Sequence, residues 1–236
     1  MAQPRPAPAF GHISAPRPLF FPTEAEIPET KDHLDLRTAL YLVLRSLFSA
    51  TAWVGSDQFV YYDASDPSRV VAPDLFVRRG GPDEQFSSWK TWERGAPELA
   101  VEIVSESDAS PGAWEKKLSR YHAMGVAEVV RFEARGERPL RIWDRIADDL
   151  VERRVEGERS ESRVLGLDFV VAKGALRLAR DGAILPTPDE RAAAEFTRAE
   201  AESLRAGENA ARADAAVATA ERLRAQLIAA GFPPDE

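Results

Sequence analysis

The sequence holds no cysteine, which excludes disulfides, thiolate nucleophiles and cysteine-ligated zinc. Histidine is scarce too: His12, His33 and His122 stand far apart and show no paired metal-ligand spacing. No apolar run is long enough for a membrane span, and the proline-rich N-terminus lacks the apolar stretch of a signal peptide. A cytoplasmic protein with no membrane partner is therefore expected. Basic excess is also missing. Lysine and arginine together number 31 against 39 acids, a formal net charge of −8, so any contact with nucleic acid has to be local. The tail from Asp189 to Glu236 carries ten acids against six bases, half of that surplus.

What remains is a chain of 236 residues, 44% of them hydrophobic, enough for one sizeable core with appendages. Residues 1–28 contain seven prolines and read as an extended arm. Residues 29–186 read as the folded domain, and residues 187–236 as an alanine-rich, charged helix. From Asp189 to Ala230 there is no proline, which allows a helix of roughly 60 Å at 1.5 Å per residue, with Gly207 as its weak point. Phe196, Leu204, Leu223 and Leu227 are its few large apolar residues. Such a seam fits a coiled-coil homodimer or partner arm, or else a single exposed helix.

Within the domain, Asp32 reads as an N-cap, and Leu36, Leu40, Leu44 and Leu47 repeat at helical spacing to an end near Ser49. His33, at the start of that helix, is assigned to the surface or to capping rather than to catalysis. Trp53 to Asp63 reads as a strand closed by the turn Ser65-Asp66-Pro67-Ser68, with Asp57 either a further metal-binding acid, or one that supports the ligands, or part of a simple kink at Gly55-Ser56-Asp57. The connection from Arg78 to Ala96 interleaves bases with Trp89 and Trp92. Stacking and phosphate contacts can arise there, or both tryptophans fold back onto the core. Strands are expected over Ala127 to Phe132 and Leu140 to Trp143, and two short ones around Lys173-Gly174 between Leu167 and Leu178. The order describes an α/β fold, a mixed sheet flanked by helices.

The informative residues are Asp74, Glu102 and Lys117. Asp74 lies in Val70-Val71-Ala72-Pro73-Asp74-Leu75-Phe76-Val77 and Glu102 in Leu99-Ala100-Val101-Glu102-Ile103-Val104, both apolar enough for strands covered on two faces. A carboxylate in such a place must be protonated, paired or bound to a cation. Ser110-Pro111 reads as N-cap and first helical residue, and Gly125 as the stop, so Pro111 to Met124 should be a helix. At about 100° per residue, Trp114, Leu118, Tyr121 and Met124 form one stripe, with Lys117 roughly 50° from its centre and Lys116 nearly opposite. One lysine of the pair thus faces the sheet. Two acids and a lysine suggest a metal, whereas a structural ion pair would need only one acid.

Ala72-Pro73-Asp74-Leu75-Phe76-Val77, Pro97-Glu98-Leu99-Ala100-Val101-Glu102-Ile103-Val104-Ser105, and Lys117-Leu118-Ser119-Arg120-Tyr121 with Gly125-Val126 resemble the Uma-type restriction endonuclease family, a branch of the PD-(D/E)xK nucleases. Lys31-Asp32-His33-Leu34, Trp89 and Trp92 with Gly95, and the charged tail are similar to one branch of that family. The resemblance implies a restriction-endonuclease-like fold and a metal-dependent endonuclease acting on DNA. In it Asp74 and Glu102 would hold Mg²⁺ or Mn²⁺ with the carbonyl of Ile103, and Lys117 would be the catalytic lysine. Two departures stand out. The usual lysine position, two residues after the second acid, is Val104, as in the Uma-type family, where the lysine sits on the following helix. Where the family continues from Gly-Val into Glu-Tyr or Glu-Trp, this chain has Glu128-Val129-Val130-Arg131-Phe132. The alternative function is a catalytically idle nuclease fold serving as a binding module assembled through its C-terminal helix.

Overall fold

The computed structural model describes residues 19–20, 30–104 and 111–231. The chain divides into two compact units, one ending at Leu185 and the other starting at Pro186. Among the described residues no helix is long and apolar enough to cross a membrane.

The first unit opens with helix α1, Lys31–Phe48. Strands β1 (Ala52–Gly55), β2 (Val60–Tyr61), β3 (Val70–Val71), β4 (Leu75–Arg79) and β5 (Trp89–Lys90) follow. The short helix α2 (Thr91–Arg94) leads into β6 (Leu99–Ile103), helix α3 (Pro111–Met124) and β7 (Glu128–Phe132). The run ends with β8 (Leu140–Ile146), β9 (Asp149–Arg153), β10 (Arg159–Ser162), β11 (Leu167–Ala172), β12 (Ala175–Arg180) and β13 (Ala183–Ile184). Six strands form the central mixed sheet in the order β1-β4-β6-β7-β8-β9. Four more form the sheet β10-β11-β12-β13, and β3-β2-β5 make a small third one. Only β6 and β7 pair in parallel within the central sheet, and α3 lies between them in the chain, as a parallel crossover requires.

The middle of the central sheet is covered on both faces, which is why β6 reads as an apolar run broken only by Glu102, whereas the edge strand β9 is largely polar. On one face Leu75, Val101 and Val130 pack with Leu40 and Leu44 of α1 and with Phe169 and Leu178 of the four-stranded sheet. On the other, Phe76, Ala100, Val129 and Trp143 pack with Tyr121 and Met124 of α3. Trp89 joins this second cluster and is fully buried, whereas Trp92 remains 42% exposed, so one of the two tryptophans folds onto the core and the other does not.

Local chemistry shifts several boundaries. α1 begins two residues earlier than the Asp32 cap suggests: Thr30 is the N-cap, its side chain accepting from the amide of His33 at 3.3 Å, and Asp32 lies in the first turn. The single strand expected over Trp53 to Asp63 breaks into β1 and β2, which join different sheets. The break is at Asp57, whose φ of 51° takes the chain into the left-handed region and whose amide donates to the carbonyl of Pro73 at 3.0 Å. Lys173 and Gly174, with φ of 53° and 75°, close the β11–β12 hairpin as a two-residue turn matched to strand twist. The Ser110 cap expected for α3 lies outside the described residues.

A buried charged cluster ties β7, β8 and β9 to the segment after β10. Glu128 is 1% exposed and Asp144 4%. The Arg153 guanidinium donates to Glu128 Oε1 at 2.9 Å, to Asp144 Oδ2 at 2.8 Å and also to Asp144 Oδ1. Ser162 Oγ donates to Glu128 Oε2 at 2.5 Å, and Arg163 reaches Asp144 at 3.2 Å. Glu128 is therefore anchored inside the fold.

The second unit is helix α4, Pro188–Ala229. It starts with a capping box, Thr187 with Glu190, and Pro188 at its first turn, so its N-terminal amides are satisfied locally. The helix runs unbroken through Gly207, and none of its residues is buried.

Candidate active site

The register of β4 against β6, Leu75 with Val101 and Phe76 with Ala100, extends to set Asp74 across from Glu102 on the sheet face that α3 covers. Glu102 is 3% exposed and ends the apolar run of β6. Lys117 projects from α3 and its Nζ donates to Glu102 Oε2 at 2.5 Å, while the Tyr121 hydroxyl, one turn further along α3, donates to Glu102 Oε1. The Lys117 side chain keeps 37% of its exposure, so its stem is covered and its ammonium reaches the carboxylate from the rim. Lys116 is exposed. The helical stripe on α3 thus aims its two lysines as its periodicity implies.

Asp74 is held from two sides. His33 Nε2 lies 2.7 Å from Asp74 Oδ1, both side chains being 14% exposed, and the amide of Ile103 donates to Asp74 Oδ2 at 2.6 Å. Ile103 meets this acid through its N–H. Behind Asp74, Ser56 Oγ donates to the Asp74 carbonyl at 3.0 Å and accepts from Arg37 at 3.1 Å. Arg37 also approaches Asp57, whose side chain is 60% exposed, at 3.5 Å. On β7, Arg131 is the register partner of Glu102, ion-paired to Glu133 at 2.8 Å and 5.2 Å over the Trp114 ring. Among the described residues no three His, Asp or Glu side chains converge as a metal-binding group.

His33 corrects the expectation that placed it at the surface. It lies seven residues before Leu40 and three before Leu36, so it belongs to the inward stripe of α1, and that spacing is the signal by which it can be found. Tyr121 was legible as an inward residue, but its hydroxyl as a donor to Glu102 was not.

Burial is the main cause that pushes the Glu102 carboxyl up to about 7, and the negative charge of Asp74 adds to it. The charge of Lys117 and the hydrogen bonds from Lys117 and Tyr121 pull the other way without offsetting burial. Burial and the neighbouring Glu102 charge also hold the Tyr121 phenol well above its ordinary range, so it stays a donor. A testable consequence follows for the metal-free protein. A carboxyl whose pKa rises on folding, here from 4.5 to about 7, binds more protons folded than unfolded across that interval, so stability falls as pH rises through it. In chelator, Glu102→Gln should lose less stability than the parent between pH 5 and 7.5, by up to about 3 kcal/mol at 1.36 kcal/mol per unit, as read from urea melts. Parallel pH profiles would show that Glu102 is charged throughout.

A mixed sheet with helices on its faces, carrying one acid just before β4, another in the adjoining β6 and a lysine from the next helix, falls in the restriction-endonuclease-like class of α/β folds. Residues 23–173 match Uma2, a family described as "Putative restriction endonuclease", and the chain belongs to that family. A solved structure described as a "putative nuclease belonging to DUF820", from Anabaena variabilis, is similar at 14% identity and a TM-score of 0.37, covering 54% of this chain and 69% of that one. No curated protein matches the chain.

Proposed function

We propose that this protein is a metal-dependent endonuclease that hydrolyses phosphodiester bonds of DNA, with Asp74, Glu102 and Lys117 as its working residues. The observation that carries the reading is the meeting of Lys117 with Glu102 beside Asp74, on a sheet face where one acid would suffice for an ion pair. Asp74 and Glu102 are hard oxygen donors held close enough that Asp74 raises the proton affinity of Glu102, a repulsion that a divalent cation relieves. Mg²⁺ takes one or two carboxylates and fills its remaining positions from water and substrate, so these two side chains with the Ile103 carbonyl form a sufficient donor set. When bound, such an ion polarises a phosphoryl oxygen and lowers the pKa of an attacking water. Lys117, at the rim, orients that water and stabilises charge growing on the phosphate. Tyr121 keeps Glu102 aimed from below.

The second reading, an idle nuclease fold used as a binding module, is favoured by a specific feature: both oxygens of Asp74 and both of Glu102 already have donors within the chain. Thermal melts of the full chain with and without Mg²⁺ or Mn²⁺ separate the two. An ion at tenfold its Kd stabilises by about 1.4 kcal/mol, or roughly 3–6 °C for a chain of this size. That shift, together with cleavage of plasmid DNA, is expected for the parent and not for Asp74→Asn. An unchanged melt with either ion would favour the module.

A further inference from the structure

We infer that His33 is a positioning residue of this site: its imidazole fixes the orientation of the Asp74 carboxylate. The inference rests on Asp74 being a metal ligand, as proposed above. A carboxylate on the first residue before a strand is free to rotate about two side-chain bonds unless both oxygens are held. Here each is held by a different element. Ile103 N–H takes Oδ2 at 2.6 Å from the sheet, and His33 Nε2 takes Oδ1 at 2.7 Å from α1. The backbone contact depends only on the pairing of β4 with β6 and comes with the fold. The imidazole contact is a side-chain choice, and it joins elements 41 positions apart in the chain.

The local structure is built to present that ring. Thr30 caps α1 by accepting the amide of His33 itself, so the residue is fixed in the first turn of the helix. Leu36, Leu40 and Leu44, on the same stripe, seat α1 on the core and so fix the direction in which His33 points. Arg37, one turn on, is bound through Ser56 to the carbonyl of Asp74, so the α1 face grips both the side chain and the main chain of this residue. Hydrogen-bond partners behind a metal-ligating side chain set its orientation, and their loss typically lowers metal affinity or activity by about 10–100-fold.

The test uses the full chain with Mn²⁺ as the probe. Calorimetric titration should show Mn²⁺ binding about 10–100-fold weaker in His33→Ala than in the parent, and largely restored in His33→Gln, whose amide nitrogen can stand near the Nε2 position. Cleavage should lose kcat more than it raises KM for DNA. Melts without metal supply an independent arm: His33→Ala and Asp74→Asn should shift the melting temperature non-additively, because contacting side chains couple. Equal Mn²⁺ affinity in parent and His33→Ala would overturn the inference while leaving the metal reading in place. A parent that binds no Mn²⁺ would remove the metal reading, and additive melts would then remove the positioning contact as well.

Discussion

Lys117→Ala is expected to lower metal-dependent cleavage by about 10²–10³-fold, the loss that follows removal of a preorganised donor at developing charge, while Lys116→Ala leaves the rate nearly unchanged. The contrast follows from where α3 places its two adjacent lysines. Lys117 Nζ is 2.5 Å from Glu102 Oε2, whereas Lys116 is exposed on the far side of the helix. The fold should survive the loss. Glu102 is already pushed up to about 7, so without the ammonium it takes up a proton rather than staying charged and buried, and Tyr121 remains hydrogen-bonded to it. Lys117→Met keeps the apolar stem against the sheet and separates lost packing from lost charge. Lys117→Arg should not rescue, because a forked guanidinium on a longer side chain places its charge differently from a compact ammonium. Circular dichroism reports folding, and single-turnover cleavage of a defined duplex reports the rate. Equal losses at the two lysines would mean that the charge acts at a distance, not through the Glu102 contact.

The parts of this fold that were legible in the sequence are those where one physical signal dominates. The α3 stripe of Trp114, Leu118, Tyr121 and Met124 gave the facing of Lys117, and an acid within each of two apolar runs gave Asp74 and Glu102. The strand β6 announced itself by a run buried throughout, and β7 and the start of β8 by runs buried at most positions, since both sheet faces are covered there. The polar strands did not. β9 reads Asp-Leu-Val-Glu-Arg and β10 Arg-Ser-Glu-Ser, and their pairing is decided by partner strands rather than by their own pattern. His33 was missed for a related reason. Its helical stripe could be read, but a histidine at a helix start has several uses, and only the distant Asp74 selects one. Asp57 shows the converse: the kink was visible in Gly55-Ser56-Asp57, yet its consequence, bringing Ser56 beside Asp74, depends on a hydrogen bond from the Asp57 amide to the Pro73 carbonyl.

Arg153→Met should destabilise the protein by about 3–5 kcal/mol, the usual cost of removing one partner from a buried ionic cluster. Arg153 serves two buried acids at once. Its Nε and one terminal nitrogen bind Asp144 in fork geometry, and the same terminal nitrogen reaches Glu128 at 2.9 Å. The other terminal nitrogen donates to Ser160 and to the carbonyl of Glu161, so this side chain also stitches β9 to β10. After its removal Glu128 retains Ser162 and the amides of Arg163 and Val164, all neutral donors. Asp144 retains the Arg163 guanidinium at 3.2 Å, from a side chain 64% exposed to solvent and hence a weak replacement. The buried negative charge is then uncompensated. The site supplies a further check. Glu128 is the first residue of β7, and β7 lies directly beside β6 and its Glu102. A variant that loses stability but retains Mn²⁺ binding at low temperature assigns the cluster to holding the sheets together. Equal stability of Arg153→Met and the parent would mean that these acids do not depend on the guanidinium.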